Sequence, residues 1–428
     1  MRIWIKGITA IPVTERGLVL ENTNIYVEDG RITWIGEERS DFAAEKVIDG
    51  TGKLAIPGLI NLHTHLGMSL MRNYADDLDL MDWLTKEIWP LEAKLSRDDI
   101  YYGSLLSMME MIRSGTTCFN DMYMEMDRVG DAALKLGMRG VLARGFVEDD
   151  QVDEKYESIR RLYKDYHGRD GLLQVAVAPH APYTVGPEHL VRLKELALEL
   201  GTFLHIHLSE TAGEVERAKA AWGKSPIVHC NDLGIFEVPS IGAHCVHVDE
   251  EDIRILAEKG VTVAHNPASN LKLASGFAPV TQMMEAGVQV ALGTDGASSN
   301  NRQNMIEEMH LASILAKAVS LNPKALGAYE ALEMATIKGA QAIGLGDELG
   351  KLEKGYLADI TIMDLSGLHH SPMNDIISDL AYSSAGSDVD TVIIQGKIVL
   401  DQGYFLGVDE EQVKGEVNRR IQRLKDER

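Results

Sequence analysis

Two histidines separated by one residue, His63 and His65, are the first candidates in the sequence for a role in binding or catalysis. They follow an apolar run that ends at Leu62. Because alternate residues of a strand point to the same face, both imidazoles would project together, about 6–7 Å apart along the strand. Imidazoles at that spacing can share one metal ion. With 14 histidines in 428 residues such a pair also arises by chance, so its place in the fold must decide.

Three further groups lie at or near the ends of later predicted strands: His207, His244 and Asp295. In a parallel barrel the carboxyl ends of all strands meet at one rim, which is where barrel active sites are built. We therefore predict a nitrogen-rich site with one carboxylate that binds one divalent ion per subunit, with Zn²⁺ favoured and iron(II) the next choice. The predicted ligands are His63, His65, His207 and Asp295.

The segment from residue 57 to residue 349 must position these groups. In it, short apolar strands alternate with amphipathic helices, which is the pattern of βα units around a parallel sheet. Eight units in about 290 residues predict an α/β fold of the (β/α)8 TIM-barrel type. The strand candidates are 54–62, 116–120, 140–147, 173–178, 202–208, 240–246, 261–265 and 288–293. No glycine-rich phosphate-binding motif follows any of these strands, which argues against nucleotide cofactors.

The two terminal segments contain short alternating strands with turns, such as Asp29-Gly30, which predicts a hairpin. Neither segment alone could bury a core, because isolated hairpins are marginal in water. We therefore expect them to combine into one small composite β-sandwich domain. The predicted division is 1–56 as the N-terminal part of the β-sandwich, 57–349 as the metal-dependent barrel, and 350–428 as its C-terminal part plus a terminal helix over 410–428.

Composition restricts the partners of the chain. It has 42 Lys plus Arg against 65 Asp plus Glu, and the net charge of -23 would repel phosphate backbones and anionic membranes. We therefore expect no nucleic-acid and no membrane partner. Only three cysteines occur, without a Cys-x-x-Cys motif, and no signal peptide or spanning segment is apparent, so we expect a cytoplasmic protein with reduced thiols. Assembly into a homo-oligomer is left open.

The run from Pro57 to His65, together with His207, His244 and Thr294-Asp295, resembles the amidohydrolase superfamily over essentially the whole chain. Members with two metal ions carry a bridging lysine or glutamate on the fourth strand. Here that strand ends in Ala178-Pro179-His180, which offers no lysine. The chain is therefore similar to the mononuclear branch, and within it to the family of 5'-methylthioadenosine/S-adenosylhomocysteine deaminases.

That family resemblance implies roles for several residues. Glu92 would hold the ribose hydroxyls, and Arg144 and His180 would contact the nucleoside or its sulfur-linked tail. Glu210 would address the purine ring, and Asp295 would contact the substrate as well as the metal. The implied activity is hydrolytic deamination of 5'-methylthioadenosine, S-adenosylhomocysteine or adenosine to the inosine analogue and ammonia.

Deamination needs a nucleophile stronger than water and a proton for a ring nitrogen. A zinc ion would generate that nucleophile at neutral pH. The predicted catalytic residues are Glu210 as the proton donor, His244 as the group that orients the attacking oxygen, and Asp295 as the base.

Two other functions compete with this prediction. A deaminase or chlorohydrolase acting on guanine, cytosine or a triazine would need the same metal and acid, and a non-catalytic scaffold could keep the same barrel. Glu92 and Arg144 favour a nucleoside with a tail over a free base, and the complete ligand set disfavours the scaffold. His205 is expected to be structural because it lies deeper in its strand, and His369 and His370 are expected to be incidental.

Overall fold

The structure is a computed structural model that describes residues 1–426. Its strands are β1 (Ile3–Ala10), β2 (Leu20–Glu28), β3 (Arg31–Gly36), β4 (Lys46–Asp49), β5 (Lys53–Pro57), β6 (Leu59–Thr64), β7 (Thr116–Tyr123), β8 (Arg139–Phe146), β9 (Leu173–Pro179), β10 (Leu204–Leu208), β11 (Ser240–His244), β12 (Thr262–His265), β13 (Val290–Leu292), β14 (Ile360–Asp364), β15 (Val389–Ile394), β16 (Lys397–Asp401) and β17 (Tyr404–Phe405).

The α-helices are α1 (Leu80–Asp82), α2 (Trp89–Glu92), α3 (Arg97–Arg113), α4 (Met126–Leu136), α5 (Val152–Tyr166), α6 (Pro187–Leu200), α7 (Ala212–Trp222), α8 (Pro226–Asp232), α9 (Glu250–Lys259), α10 (Pro267–Lys272), α11 (Val280–Glu285), α12 (Met305–Ser320), α13 (Ala328–Met334), α14 (Ile337–Ala342), α15 (Ile376–Tyr382) and α16 (Glu410–Asp426). A π-helical turn (Trp83–Ile88) joins α1 to α2, and short 3₁₀ turns cover Leu66–Met71, Arg169–Gly171, Ile235–Glu237, Leu368–His370 and Gly386–Asp388. None of the helices within residues 1–426 is long and apolar enough to cross a bilayer.

Strands β6 to β13 form one sheet in chain order, and every neighbouring pair is parallel. The sheet closes on itself where the backbone N–H groups of Thr294 and Asp295 donate to the carbonyl oxygen of His63 at 3.1 and 2.9 Å. Strands β6, β7, β10 and β11 are buried along their whole length, as expected for strands covered by helices outside and side chains inside. The predicted (β/α)8 TIM barrel is confirmed.

Strands from both ends of the chain form a second sheet of nine strands, in the order β17-β16-β15-β14-β5-β1-β2-β3 with β4 paired to β1. These strands lie within residues 3–57 and 360–405 and enclose a separate apolar core that includes Ile3, Ile25 and Ile393. The Asp29-Gly30 turn has φ values of 50° and 80° and joins β2 to β3 as the predicted hairpin. The predicted combination of the two terminal segments is confirmed.

The predicted first barrel strand, 54–62, is wrong as one element. Strand β5 pairs with β14 in the terminal sheet, whereas β6 belongs to the barrel. Gly58 lies at the break, where its N–H donates to the carbonyl oxygen of Asp359 at 2.9 Å and a Cβ would come within 2.1 Å of Thr117 Oγ1. The break is not apparent in the sequence, because β5 and β6 are both buried, each in its own sheet, and together form one continuous apolar run.

Helix α16 follows the terminal sheet and packs against α3. Its apolar stripe buries Val413, Val417 and Leu424, as the helical spacing predicts. Arg420 of α16 also donates a hydrogen bond to the buried carboxylate of Asp99 in α3 at 3.0 Å. The terminal helix is thus confirmed up to residue 426, and residues 427 and 428 of the predicted span lie outside the described residues.

Candidate active site

His63 in strand β6 and His65, the residue that follows this strand, converge on the carboxylate of Asp295. The Nε2 atom of His63 lies 3.5 Å from Asp295 Oδ1, and the Nε2 atom of His65 lies 3.2 Å from the same oxygen. Their ring centroids are 4.8 Å apart. The alternation of the strand therefore brings both imidazoles to one point at the carboxyl end of the barrel.

His207 and His244 come from the ends of strands β10 and β11 and complete this cluster. The ring of His207 lies 4.9 Å from that of His63 and 5.4 Å from that of His65. The ring of His244 lies 5.3 Å from that of His63. Two overlapping sets of three residues each have possible ligand atoms within 4.8 Å of one another. One set is His63, His207 and His244, and the other is His63, His65 and Asp295. The structure thus brings together all four predicted ligands and His244.

Hydrogen bonds outside the cluster fix which ring nitrogen faces inward. The Nδ1 atom of His65 donates to the carbonyl oxygen of Met122 at 2.5 Å, and that of His207 donates to the carbonyl oxygen of His180 at 2.7 Å. The Nδ1 atom of His244 lies 2.8 Å from Asn270 Oδ1, where it can donate. A histidine that donates through Nδ1 keeps a lone pair on Nε2, and this is the usual state of a metal ligand.

His63 is completely buried, and its two nitrogens differ sharply in their surroundings. Its Nδ1 lies 2.9 Å from Nε2 of His205, whose own Nδ1 faces the side-chain amide of Asn120 at 3.2 Å. Its Nε2 has no hydrogen-bond partner among the residues that the structure describes. A buried polar atom without a partner is costly unless a missing group satisfies it, so this nitrogen fits a metal ligand.

The protonation of the cluster also suits a cation. Burial lowers the pKa of His63 to about 3 and that of His207 well below its usual value, so both rings are neutral. Burial alone would lower the pKa of His65, but its contact with Asp295 raises it to about 9. Burial would raise the pKa of Asp295, but His63 and His65 hold it well below its usual range. His65 and Asp295 therefore hold a proton that a metal ion would displace.

Asp295 is held from several sides. Its Oδ2 accepts hydrogen bonds from the hydroxyls of Ser269 at 2.6 Å and Ser299 at 2.9 Å, and its Oδ1 accepts one from the N–H of Gly296 at 2.7 Å. The backbone of Asp295 is left-handed, with φ of 63°, and His244 shares this with φ of 73°. Such strain in residues other than glycine persists where surrounding contacts impose it, and it concentrates at functional sites. No motif in the sequence predicts the contact of Ser299 with Asp295.

A cavity of about 360 Å³ opens above the cluster. Glu210 reaches into it from the loop after β10, and its Oε2 lies 3.9 Å from His244 Nε2. Burial raises the pKa of Glu210, which favours its protonated form. His180 also lines the cavity, with its Nδ1 2.9 Å from Thr184 Oγ1, and burial lowers its pKa to about 4.

Glu92 lines the same cavity from helix α2 and is held by a residue that sequence reasoning missed. The hydroxyl of Tyr123, at the end of β7, donates to Glu92 Oε1 at 2.6 Å. Burial raises the pKa of Glu92 in spite of this bond. The remaining wall is largely apolar and is formed by side chains that include Trp83, Leu84, Trp89, Met124 and Leu273.

Arg144 does not line the cavity above the histidine cluster. This differs from the arrangement that the family resemblance implies. On β8 its neighbour Gly145 lines the cavity above the cluster, whereas in the described part of the chain Arg144 lines a second cavity of about 370 Å³ with Glu125 and Arg161. Successive residues of a strand point to opposite faces, so Arg144 is directed outward toward helices α4 and α5. Burial lowers the pKa of its guanidinium, against the opposing effect of acidic neighbours. Its contact with a substrate tail stays a prediction.

Comparison with known proteins places this geometry in a family. Residues 54–399 match the model of the amidohydrolase family. Proteins named 5-methylthioadenosine/S-adenosylhomocysteine deaminase are 51% identical in Thermoanaerobacter pseudethanolicus, over 99% of both chains, and 46% identical in Moorella thermoacetica, over 98% of this chain and 99% of that one.

Solved structures agree over the full length. A zinc-bound adenosine deaminase from Xanthomonas campestris superposes with a TM-score of 0.96 at 35% identity, covering 99% of this chain and 98% of that one. A zinc complex of atrazine chlorohydrolase from Arthrobacter aurescens gives a TM-score of 0.92 at 26% identity, covering 98% of this chain and 100% of that one. The chain therefore belongs to the amidohydrolase family, as its histidine motifs predicted.

Proposed function

We propose that this chain hydrolyses the amino group from the adenine ring of nucleosides with a sulfur-linked 5′ tail, namely 5'-methylthioadenosine and S-adenosylhomocysteine. The products are the corresponding inosine analogues and ammonia. Relatives about half identical over the full length carry the name of this activity. The observation that carries the proposal is the placement of Glu210 and Glu92 in one cavity directly above the histidine cluster.

We further propose that one divalent ion, Zn²⁺, is held by Nε2 of His63, His65 and His207 and by Asp295. The inward lone pairs of these imidazoles and the single carboxylate suit zinc. When bound, the ion would lower the pKa of water and so supply a nucleophile at neutral pH. The zinc-containing structures of two relatives support this choice.

Asp295 deprotonates the attacking water, and His244 orients it. Asp295 accepts a proton from it, and the hydroxyls of Ser269 and Ser299 keep the carboxylate oriented while it does so. His244 directs Nε2 into the cavity because its Nδ1 is held by Asn270. From there it hydrogen-bonds the oxygen that adds to the ring carbon.

Glu210 supplies the proton that makes the ring reactive. Its raised pKa keeps a proton available for the ring nitrogen next to the attacked carbon. The carbon–nitrogen bond then breaks, the amino group leaves as ammonia with the proton that Asp295 took from water, and Glu210 recovers its proton from the new hydroxyl. The ring keeps the proton that it received, so one water is consumed for each ammonia released.

The substrate panel that tests this function consists of 5'-methylthioadenosine, S-adenosylhomocysteine, adenosine, guanine, cytosine and a chlorinated triazine. Release of ammonia, or of chloride from the triazine, is followed with the zinc-loaded protein. We expect the two sulfur-containing nucleosides to give the highest kcat/KM. Faster turnover of a free base or of the triazine would replace the proposal with another reaction of the same fold.

The bond between Tyr123 and Glu92 gives a prediction about the ribose. With Oε1 held by Tyr123, the second oxygen of Glu92 is free to accept from a ribose hydroxyl. Losing one hydrogen bond to a charged group costs about 1.5–3 kcal/mol, so Tyr123→Phe should raise KM for 5'-methylthioadenosine about 10-fold or more. KM for its 2'-deoxy analogue should change less, and Tyr163→Phe on helix α5 serves as the control. An unchanged preference for the ribonucleoside would contradict this role.

Arg144 gives a prediction about the tail. We propose that the tail of S-adenosylhomocysteine extends from the cavity above the cluster toward the second cavity, which Arg144 lines. Because a planar guanidinium pairs with a carboxylate through two hydrogen bonds, Arg144→Ala should reduce kcat/KM for S-adenosylhomocysteine more than for 5'-methylthioadenosine. Arg161→Ala is the matched control, since Arg161 lines the same second cavity but is exposed and paired with Glu154. Equal losses on both substrates would mean that Arg144 acts only in packing at that cavity.

We also propose a cytoplasmic location. The three cysteines, Cys118, Cys230 and Cys245, are buried and form no disulfide in the described chain. Reduced buried thiols are typical of proteins that stay in a reducing compartment.

A further inference from the structure

A second cluster of metal-ligand side chains lies between strands β14 and β15, outside the cavity described above. It consists of His369 and His370 in the 3₁₀ turn Leu368–His370 and of Asp388 in the 3₁₀ turn Gly386–Asp388. We propose that these three side chains form a second divalent-metal site, of a kind suited to zinc. Sequence reasoning treated both histidines as incidental because nothing in their spacing links them to Asp388.

The distances within this cluster fit one small ion. The Nε2 atoms of His369 and His370 lie 3.0 and 3.4 Å from Asp388 Oδ2. All three potential ligand atoms lie within 4.8 Å of one another. A tetrahedral zinc ion with ligands at about 2.0–2.1 Å holds neighbouring ligand atoms about 3.3 Å apart. The two distances to Asp388 are therefore close to those of a tetrahedral site, and the separation of the two histidine nitrogens is at most 4.8 Å.

His370 carries a further sign of a metal ligand. Its side chain is only 1% exposed, and its Nδ1 lies 2.6 Å from Asp379 Oδ2, as in the carboxylate–histidine–zinc arrangement of known sites. Its Nε2 has no hydrogen-bond partner within the described part of the chain, yet it faces Asp388. With the proton on Nδ1, the lone pair of Nε2 points at Oδ2 of Asp388, and the two lone pairs repel each other. A cation bound to both atoms would replace this repulsion with attraction.

The surroundings are consistent with a three-ligand site that has one open side. Asp388 is fixed because its Oδ2 also accepts the N–H of Ala385 at 2.7 Å. His369 is 43% exposed, so water can complete the coordination. Gly386, in the same turn as Asp388, packs against Ser114 and Asn304 of the barrel. A bound ion would therefore tie both turns that flank α15 to the joint between the terminal sheet and the barrel.

Metal stoichiometry of the full-length protein tests this second site. The wild-type protein is incubated with excess Zn²⁺, passed through gel filtration and assayed for zinc by elemental analysis. We expect two ions per chain in the wild type and one in His369→Ala, which should keep deaminase activity within about twofold because His369 is exposed and remote from the cavity. His167→Ala, which removes an exposed histidine elsewhere, should keep two ions.

Three results would overturn the second site. They are one ion per wild-type chain, two ions in His369→Ala, or loss of both ions in that variant. A single ion in the wild type would mean that His369 and His370 contact Asp388 and Asp379 only through hydrogen bonds. Asp388→Asn gives an independent check, because it should also lose one ion and should abolish any rise in melting temperature caused by zinc beyond the first equivalent.

Discussion

Replacing Glu210 with glutamine is expected to lower kcat for 5'-methylthioadenosine by about 10²–10⁴-fold, the usual range for one acid–base group. Glutamine keeps the size of the side chain but cannot supply the proton for the ring nitrogen. The metal content should stay the same, because Glu210 is not one of the predicted ligands. Steady-state ammonia release and elemental analysis of the same preparation measure both effects.

The matched control for Glu210 is Glu216→Gln on helix α7, an exposed carboxylate on the same stretch of chain. This variant should turn over substrate at the wild-type rate. If Glu210→Gln also kept near-normal kcat, the proton for the ring would have to come from another group, and the proposed role of Glu210 would be lost.

Asp295→Asn is expected to have an even larger effect, a loss of about 10⁴-fold or more, because it removes the base and weakens a metal ligand together. The amide cannot accept the proton of the attacking water. It also lacks the charge that holds His65 and would attract the ion. The rate should remain low at saturating zinc, which separates the loss of the base from the loss of metal affinity.

Ser299→Ala is the graded comparison for Asp295. It removes one of the two hydroxyls that hold Oδ2 and leaves Ser269 in place, so a loss of about 10-fold is expected. If Asp295→Asn recovered to within 10-fold of the wild type at high zinc concentration, Asp295 would be a dispensable ligand and not the base.

The parts of this fold that the sequence predicted share a simple physical basis. Apolar strands alternating with amphipathic helices allow few arrangements, and a parallel barrel brings the carboxyl ends of its strands to one rim. His63, His65, His207 and Asp295 could therefore be grouped without coordinates. The hairpin at Asp29-Gly30 was equally local, because its turn needs positive φ values.

The parts that could not be predicted depend on contacts between distant segments. Asn270 holds His244, and Tyr123 holds Glu92, through pairs of residues 26 and 31 positions apart. No periodicity encodes such pairs. The direction of the Arg144 side chain depends on which face of β8 is turned toward the inside of the barrel. Neighbouring residues of a strand point to opposite faces, so a difference of one residue reverses the prediction.

The most direct test of the metal-dependent mechanism is an anomalous difference map from crystals of the active protein, recorded at the absorption edge of the metal that elemental analysis identifies. We expect a strong peak about 2.0–2.2 Å from Nε2 of His63, His65 and His207 and from a carboxylate oxygen of Asp295. Crystals of fully active protein that show no peak at this position would contradict the mechanism.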